Sequence, residues 1–519
     1  MNLKLMLEQA AKRYGEKTAV ALGELRLSYI ELDEASNRIA NTLIAMGIKK
    51  GDRVAMLLPN SPAFAVIYFG IVKTGAIAVP LDTKYKTGEL TSLFNHCQPR
   101  VLVTESPYLE PLIPFLPAFG SIEQVIDLAA DDSGRFLSYQ EIMTKSSAQR
   151  VKIEPEPADV AHIAYTSGPA FKPKGVMLTH VRLVRGAEIS ARGFIQTSND
   201  RVMLFALPMH HAIGLVVILL TSIGKGSTVI IVPGLSIEGL MGAVEREKAT
   251  IFMGVPFTYA LIVRKVEEEG ITHDLNSLRI CASAGAPLPI NIIERFEKHL
   301  GLRLIQFYGL TEGTVHVTCQ DIDGSGKPGS VGRALPGWRV KVVDDNGREL
   351  PPGRPGEIVI KGPTMKGYYR NSEATARTIK HGWLHTGDIG SMDEDGHLYI
   401  LGLKKEMLIV KGQNIYPSDV EAVLLAHHKV AEVAVVGIPD EVRGEVVGAA
   451  VRLKAGETAT EQEIKKFCLE RIANYKVPKK VIFLSSLPGT ADGKVDKPTL
   501  KGYLLAAYSA SKAENDLVL

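Results

Sequence analysis

Cysteine is scarce and scattered. Cys97, Cys281, Cys319 and Cys468 are the only four in 519 residues, and no two stand at metal-ligand or redox spacing. That excludes a disulfide scaffold, a zinc ribbon and a thioredoxin-type motif, and it points to a reducing compartment. Charge of one sign is also lacking: 60 basic against 57 acidic residues leave +3, with no long Lys/Arg block, so nucleic acid is not an expected partner. Long apolar runs are missing too. The most membrane-like stretch, 212–232, is wholly apolar only from Leu215 to Leu220 and is interrupted by Gly224, Lys225 and Gly226. It falls short of the ~20 apolar residues of a span and reads as a buried helix followed by a strand. The opening MNLKLMLEQAAKRYG mixes charges on a helical pattern without a signal-peptide core, and the closing NDLVL is not an S-K-L address. A cytoplasmic location is expected; peripheral membrane contact and a homodimer stay open.

What is present is enough chain for two or more hydrophobic cores. A helix pattern runs from Leu27 through Leu32, Ala35, Ile39 and Leu43 to Gly47; strands are predicted at 52–58, 76–80 and 101–104, with a helix at 62–74. Further buried strands are expected at 160–164, 251–255, 278–282 and 302–307. This alternation predicts α/β layers around largely parallel sheet. Past Gly329, the Asn346-Gly347 and Asp395-Gly396 turns between apolar strands predict a small β-subdomain. After the charged stretch 402–406 the alternation restarts, with a helix near Ser418, strands at 430–437 and 446–453, and a helix over 460–473. The expected division is a large N-terminal α/β domain, 1–402, and a small α+β C-terminal domain, 403–519.

The stretch Tyr165–His180, YTSGPAFKPKGVMLTH, follows a predicted buried strand with hydroxyls, glycines and two lysines. Thr166, Ser167, Gly168, Lys172, Lys174 and Gly175 supply what an anion nest needs. The Walker pattern fails, because Pro173 precedes Lys174 and Gly175 follows it; an ordinary Gly/Pro/Ser surface loop is the alternative. Thr311 and Glu312, in Tyr308-Gly309-Leu310-Thr311-Glu312, suit a magnesium–phosphate site if they sit just past a strand end, although a mere turn is the other reading. Asp388, in His385-Thr386-Gly387-Asp388, could accept both hydroxyls of a ribose or simply cap a loop. Lys494, between Gly493 and Val495, could be a solvated surface lysine.

Together and in order, these motifs resemble the adenylate-forming family of acyl-CoA synthetases, aryl-CoA ligases, luciferases and peptide-synthetase adenylation domains. The resemblance covers about Ser28 to Lys497. Thr166-Ser167-Gly168 and Pro173-Lys174-Gly175-Val176 match the ends of the family loop T-S-G-T-T-G-x-P-K-G-V. Pro208-Met209-His210-His211-Ala212-Ile213-Gly214 is similar to P-x-x-H-x-x-G, which implies an acyl-pocket role for His211, while His210 could be pocket wall or core. Gly285, Ala286 and Pro287 resemble the strand end that packs along adenine. Tyr308–Glu312 match Y-G-x-T-E, with Thr311 implied on phosphate and Glu312 on Mg²⁺. Phe307, Tyr308, Gly309 and Ile400 are implied around the nucleotide, and Asp388 on its ribose. Met209, Ile213, Phe257, Gly285 and Leu310 are implied acyl contacts. Lys405 aligns with the hinge about which the C-terminal domain is implied to rotate, and Lys411, Gly412 and Gln413 with the CoA tunnel. Leu487–Lys494 is similar to L-P-x-T-x-x-G-K, which implies that Lys494 bridges the substrate carboxylate and the α-phosphate.

The implied activity is a two-step ligation: a carboxylic acid and ATP give acyl-AMP and pyrophosphate, and CoA then gives the acyl-CoA. Bringing two anions together demands positive charge and an oriented, dry site rather than a protein nucleophile. The chain departs from the family at Pro169-Ala170-Phe171, which replace Thr-Thr-Gly and remove two hydroxyls, one backbone N–H and one glycine. Each lost donor would cost about 2.7–4 kcal/mol by analogy with oxyanion-hole deletions. Leu403 stands where the family usually has Arg. An adenylation-impaired acyl-adenylate-binding protein is therefore a rival reading. The His210-His211 segment lacks the aspartate of amino-acid-activating domains, and the length leaves little room for the insertion of CoA-independent ligases. A medium- or long-chain fatty acid is the expected substrate, with aromatic or alicyclic acids as the alternative.

Overall fold

The structure, a computed structural model, describes residues 1–129, 135–166, 173–286, 288–323, 325–403, 408–410, 413–415, 417–488 and 495–516. Short β-branched and aliphatic runs form the strands of two sheets in which parallel pairing dominates. In the first, Val160–Thr166, Ile77–Pro80, Arg53–Leu57, Val101–Thr104, Gln124–Asp127 and Leu137–Ser138 lie side by side in parallel, with Lys174–Thr179 and Gly367–Tyr368 antiparallel at one edge. In the second, Leu304–Tyr308, Ile280–Ser283, Ile251–Gly254, Arg201–Phe205, Thr228–Val232 and Thr18–Leu22 are parallel, and short antiparallel strands close both edges. Several central strands, such as Ile77–Pro80 and Ile251–Gly254, are buried at every residue. Parallel strands covered on both faces require such unbroken apolar runs.

Helix Pro62–Lys73 shows how far burial goes here. Ser61 caps it by accepting from the Phe64 N–H, Pro62 occupies the first turn, and every residue except Ala63 is buried. Even Lys73 is inside, with Nζ 2.7 Å from Asp33 Oδ1 and 2.7 Å from Asn37 Oδ1. A third sheet, antiparallel, joins Arg339–Val343, Gly356–Lys361, Trp383–Met392, Ile379–Lys380 and Leu398–Leu403. This is the expected small β-subdomain.

The chain divides into two compact units. The larger is Met1–Thr83, Cys97–Thr166 and Lys174–Lys404; the smaller is built mainly on Lys405–Leu519 and includes Lys84–His96. Within the smaller unit a hairpin of Val430–Asp440 and Gly444–Leu453 carries Leu408–Val410 and Lys480–Phe483 at its sides. Its core includes Val420, Leu424, Val435, Val447, Ile464 and Ile472. Lys476, 1% exposed, is held there by Glu89 Oε1 at 3.1 Å and Asp419 Oδ2 at 3.6 Å.

Two local expectations need correction. Leu27 lies not in a helix but in strand Leu25–Ser28, which turns back on Thr18–Leu22; the helix Tyr29–Ala45 starts only after Ser28, where Ser28 and Glu31 form a reciprocal capping box. The C-terminal helix is Glu461–Leu469 rather than 460–473, because Ala473 is extended and a single 3₁₀ turn, Asn474–Lys476, follows. The apolar stretch after Ala212 is the expected buried helix followed by a strand, with a π-helical first part, Ile213–Leu220, before Thr221–Lys225 and strand Thr228–Val232. Among the described residues no helix is long and apolar enough to cross a membrane.

Candidate active site

Open parallel sheets bind ligands outside the carboxyl ends of their strands, where side chains and free backbone N–H groups converge. In the larger unit the motif residues gather at such ends. Thr166 closes strand Val160–Thr166, and the His210-His211 segment follows Arg201–Phe205. Phe257 follows Ile251–Gly254, Gly285 and Ala286 follow Ile280–Ser283, and Thr311 and Glu312 follow Leu304–Tyr308. Asn60, after Arg53–Leu57, donates to the Leu207 carbonyl at 2.8 Å and accepts the Met209 N–H at 2.7 Å. That clip ties the strand ends of one sheet to those of the other.

The turn after Tyr308 is shaped by backbone geometry only special residues tolerate. A Cβ on Gly309 would lie 1.0 Å from the Val315 carbonyl oxygen, so no side chain fits. Thr314 and Val315 take φ of 48° and 78°, a left-handed conformation unfavourable for β-branched residues. Hydrogen bonds hold the turn there: Val315 N to Leu310 O at 3.0 Å, Met365 N to Glu312 O at 2.6 Å, and the Thr314 hydroxyl to Pro363 O.

Two tyrosine–carboxylate pairs meet at this strand end, one to the β-subdomain and one to the edge strand Gly367–Tyr368 of the first sheet. The Tyr308 hydroxyl donates to Asp388 Oδ2, and the Tyr368 hydroxyl donates to Glu312 Oε1 at 2.9 Å. Asp388 is oriented by Thr386, whose hydroxyl accepts the Asp388 N–H at 3.0 Å and donates to Ile358 O at 2.7 Å. Desolvation pushes the Asp388 carboxyl up to about 6; the Tyr308 hydrogen bond opposes this, and the Glu312 and Glu357 charges add to it. Asp388 and Glu312 are thus close enough to feel each other's charge. Opposite Asp388 in the antiparallel ladder stands Leu403. Lys174, at the start of its strand, sets its ammonium 5.5 Å from the Tyr368 ring centroid.

His211 sits in the turn leading into the π-helix, its N–H donating to Pro208 O at 3.1 Å. Gly214 makes that turn possible, since a Cβ there would lie 2.2 Å from the Pro208 oxygen. The His211 ring is partly exposed by area yet densely surrounded, and desolvation, with His210 adding and Asp82 opposing, holds it down to about 4. It is neutral at pH 7. His210 Nε2 lies 3.7 Å from Asp82 Oδ2. Met209 and Ile213 are buried, Phe257 and Leu310 half-buried, and Gly285 is exposed with φ of 86°. Phe307 is buried and Ile400 half-buried on strand Leu398–Leu403.

Other expected residues fall elsewhere. Gln413 opens strand Gln413–Ile415 of the smaller unit. Ser167, Gly168, Pro169, Ala170, Phe171, Lys172, Pro287, Lys405, Lys411, Gly412 and Lys494 lie outside the described residues, as do the side chains of Thr166 and Leu403. Sequence reasoning missed Tyr368 and Asn60. The glycine before Tyr368 and the Asn-Ser-Pro after a strand were the available signals, and neither specifies a partner. For the magnesium ion that the resemblance implies, the donors fit: Thr311 and Glu312 offer a hydroxyl and a carboxylate at one strand end, an all-oxygen set suited to a hard cation that shares substrate phosphates.

Comparison with known proteins gives the family. Residues 7–369 match the family described as AMP-binding enzyme, and residues 419–494 match its C-terminal domain. The chain is 33% identical to a long-chain-fatty-acid–CoA ligase of Bacillus subtilis, over 95% of this chain and 93% of that one. It is 34% identical to an indoleacetate–CoA ligase of Aromatoleum aromaticum, over 96% and 98%. Among solved structures, a double mutant of o-succinylbenzoate CoA synthetase from Bacillus subtilis with a bound product analogue superimposes with a TM-score of 0.85, at 31% identity over 96% and 97%. The chain belongs to the AMP-binding enzyme family, among its AMP-forming acid–CoA ligases.

Proposed function

We propose that this protein joins a medium- or long-chain fatty acid to coenzyme A by way of an acyl-adenylate. The observation that carries the reading is the pair of tyrosine-held carboxylates, Asp388 and Glu312, beside Thr311 at the carboxyl end of a parallel strand. Asp388 would accept the ribose hydroxyls. Thr311 would hydrogen-bond phosphate, and Thr166, Ser167, Gly168, Lys172 and Lys174 would cradle the β- and γ-phosphates. Glu312 would hold magnesium, which when bound neutralises the departing pyrophosphate. Gly285, Ala286, Pro287, Phe307, Tyr308, Gly309 and Ile400 would wall the nucleotide.

For the acid, Met209, Ile213, Phe257, Gly285 and Leu310 would offer an apolar lining beside neutral His211, which suits an aliphatic chain or a ring alike. Lys494 would hold the attacking carboxylate in line with the α-phosphorus. Attack expels pyrophosphate, and the CoA thiol, led in along Lys411, Gly412 and Gln413, then displaces AMP from the mixed anhydride. The domain boundary at 402/403, the hinge at Lys405, the cytoplasmic location and a homodimer belong to the same reading.

ATP–pyrophosphate exchange across a panel of fatty, aromatic and alicyclic acids tests it. Preference for a fatty acid is the expected result; preference for an aromatic or alicyclic acid replaces the substrate class. A specific observation favours a second reading: Pro169-Ala170-Phe171 removes phosphate-loop donors, so exchange with no acid would make this an adenylate-binding protein. Restoring Thr-Thr-Gly at 169–171 should raise pyrophosphate release more than about tenfold, given the cost of each missing donor. An unchanged rate would mean that the loop works as it stands.

A further inference from the structure

We propose that Tyr368 is a positioning residue, setting the Glu312 carboxylate and the Lys174 ammonium for the metal–triphosphate group. The inference rests on the functional reading above and goes beyond it. Tyr368 touches both groups at once: its hydroxyl donates to Glu312 Oε1 at 2.9 Å, and its ring lies under Lys174 Nζ, 5.5 Å from the centroid. A hydroxyl on one carboxylate oxygen fixes the rotation of that carboxylate and leaves the second oxygen to face a cation. The ring face offers the ammonium a weak partner that a phosphate can outcompete.

The tyrosine is itself immobilised from both sides. Lys366 N donates to Met177 O at 2.8 Å and Tyr369 N to Gly175 O at 2.7 Å, which ties the segment to the strand that begins at Lys174. Met365 N donates to Glu312 O at 2.6 Å, and Tyr368 N to Thr375 Oγ1 at 2.9 Å. One five-residue strap, 365–369, therefore spans from the phosphate-loop strand to the turn that carries Glu312. From that strap Tyr368 reaches both charges. Its effect falls on the nucleotide half of the reaction, where metal and triphosphate are used, and not on attack by the thiol.

The test compares wild type, Tyr368→Phe and Tyr368→Leu in the full chain. Mn²⁺ binding in the presence of a non-hydrolysable ATP analogue, followed by electron paramagnetic resonance, is read beside adenylate formation, thioester formation from supplied acyl-adenylate, and thermal melting. Tyr368→Phe, which keeps the ring, should weaken Mn²⁺ binding by at least about tenfold, the effect of one lost hydrogen bond to a charged group. Adenylation should fall in parallel, while thioester formation from supplied adenylate and the melting temperature stay near wild type. Tyr368→Leu, which also removes the cation's ring, should weaken Mn²⁺ binding further. Unchanged Mn²⁺ binding in Tyr368→Phe overturns the positioning role, and so does an equal fall in both half-reactions. A wild-type protein that binds no Mn²⁺ with the analogue overturns the nucleotide-site reading itself, a distinct result.

Discussion

Asp388 carries two opposed demands. To accept ribose hydroxyls as proposed it must be ionised, yet burial raises its carboxyl to about 6, and the negative charges of Glu312 and Glu357 push the same way. The Tyr308 hydroxyl is what keeps the shift from growing. Nucleotide affinity is therefore expected to fall as pH drops through about 6, since protonation removes an acceptor. Equilibrium binding of an ATP analogue between pH 5 and 8 checks this, and Asp388→Asn, which cannot ionise, should flatten the profile while binding weakly throughout. The sign for folding is the reverse: a carboxyl raised above its unfolded value makes the folded state take up protons first, so this one group stabilises the fold as pH falls from 6 towards 4.

At the scale of elements, the turn 208–214 and the π-helix Ile213–Leu220 form one device. The wide turn lets the Pro208 carbonyl approach Gly214 closely and sets His211 at the mouth of an apolar segment. π-helical turns are energetically poor and recur at functional sites. Gly214→Ala places a carbon 2.2 Å from the Pro208 oxygen, so segment and helix must separate. The expected cost is about 1–3 kcal/mol in stability, with a rise in KM for the acid and little change in KM for ATP. Chemical denaturation and steady-state kinetics read the two effects apart. Equal rises in both KM values would mean that the turn serves the fold and not the acyl site.

Across the whole larger unit, neutral histidines are built into the interior. His162 and His316 are held at about 3 and His180 at about 4, chiefly by burial, and each is no more than 1% exposed. His316 packs between Phe194 and Phe307 at tilted angles, with centroids at 4.6 and 4.7 Å, and its two ring nitrogens have no hydrogen-bond partner among the described residues. Each of these groups binds a proton near pH 6.5 when unfolded and far lower when folded. Their contribution is full above about 6.5 and is lost as pH falls from there towards 4, at roughly 1.4 kcal/mol per pH unit for each histidine. This outweighs the opposite trend of the single Asp388. Melting temperature should drop on acidification across that window, and His316→Phe should make the drop shallower. A drop as steep as that of wild type would show that His316 is not the group being protonated.

The linear chain determined the element pattern and the chemistry on offer. Apolar runs such as Ile251–Gly254 and Ile280–Ser283 could be read as buried strands because a strand covered on both faces leaves no room for polar residues. The motifs around Thr166, His211, Glu312 and Asp388 were legible because their composition is specialised and their order matches a family. Element ends were less legible, as at Leu27, because alternation over four residues is too short to outvote a helical period beside it. What only the tertiary structure decided is which groups meet. Tyr368 touches Glu312 from 56 residues away, Tyr308 reaches Asp388 from 80, and Asn60 closes on residues 207 and 209. Those contacts arise where strands of separate sheets end together, a consequence of strand order and crossover that no local pattern encodes.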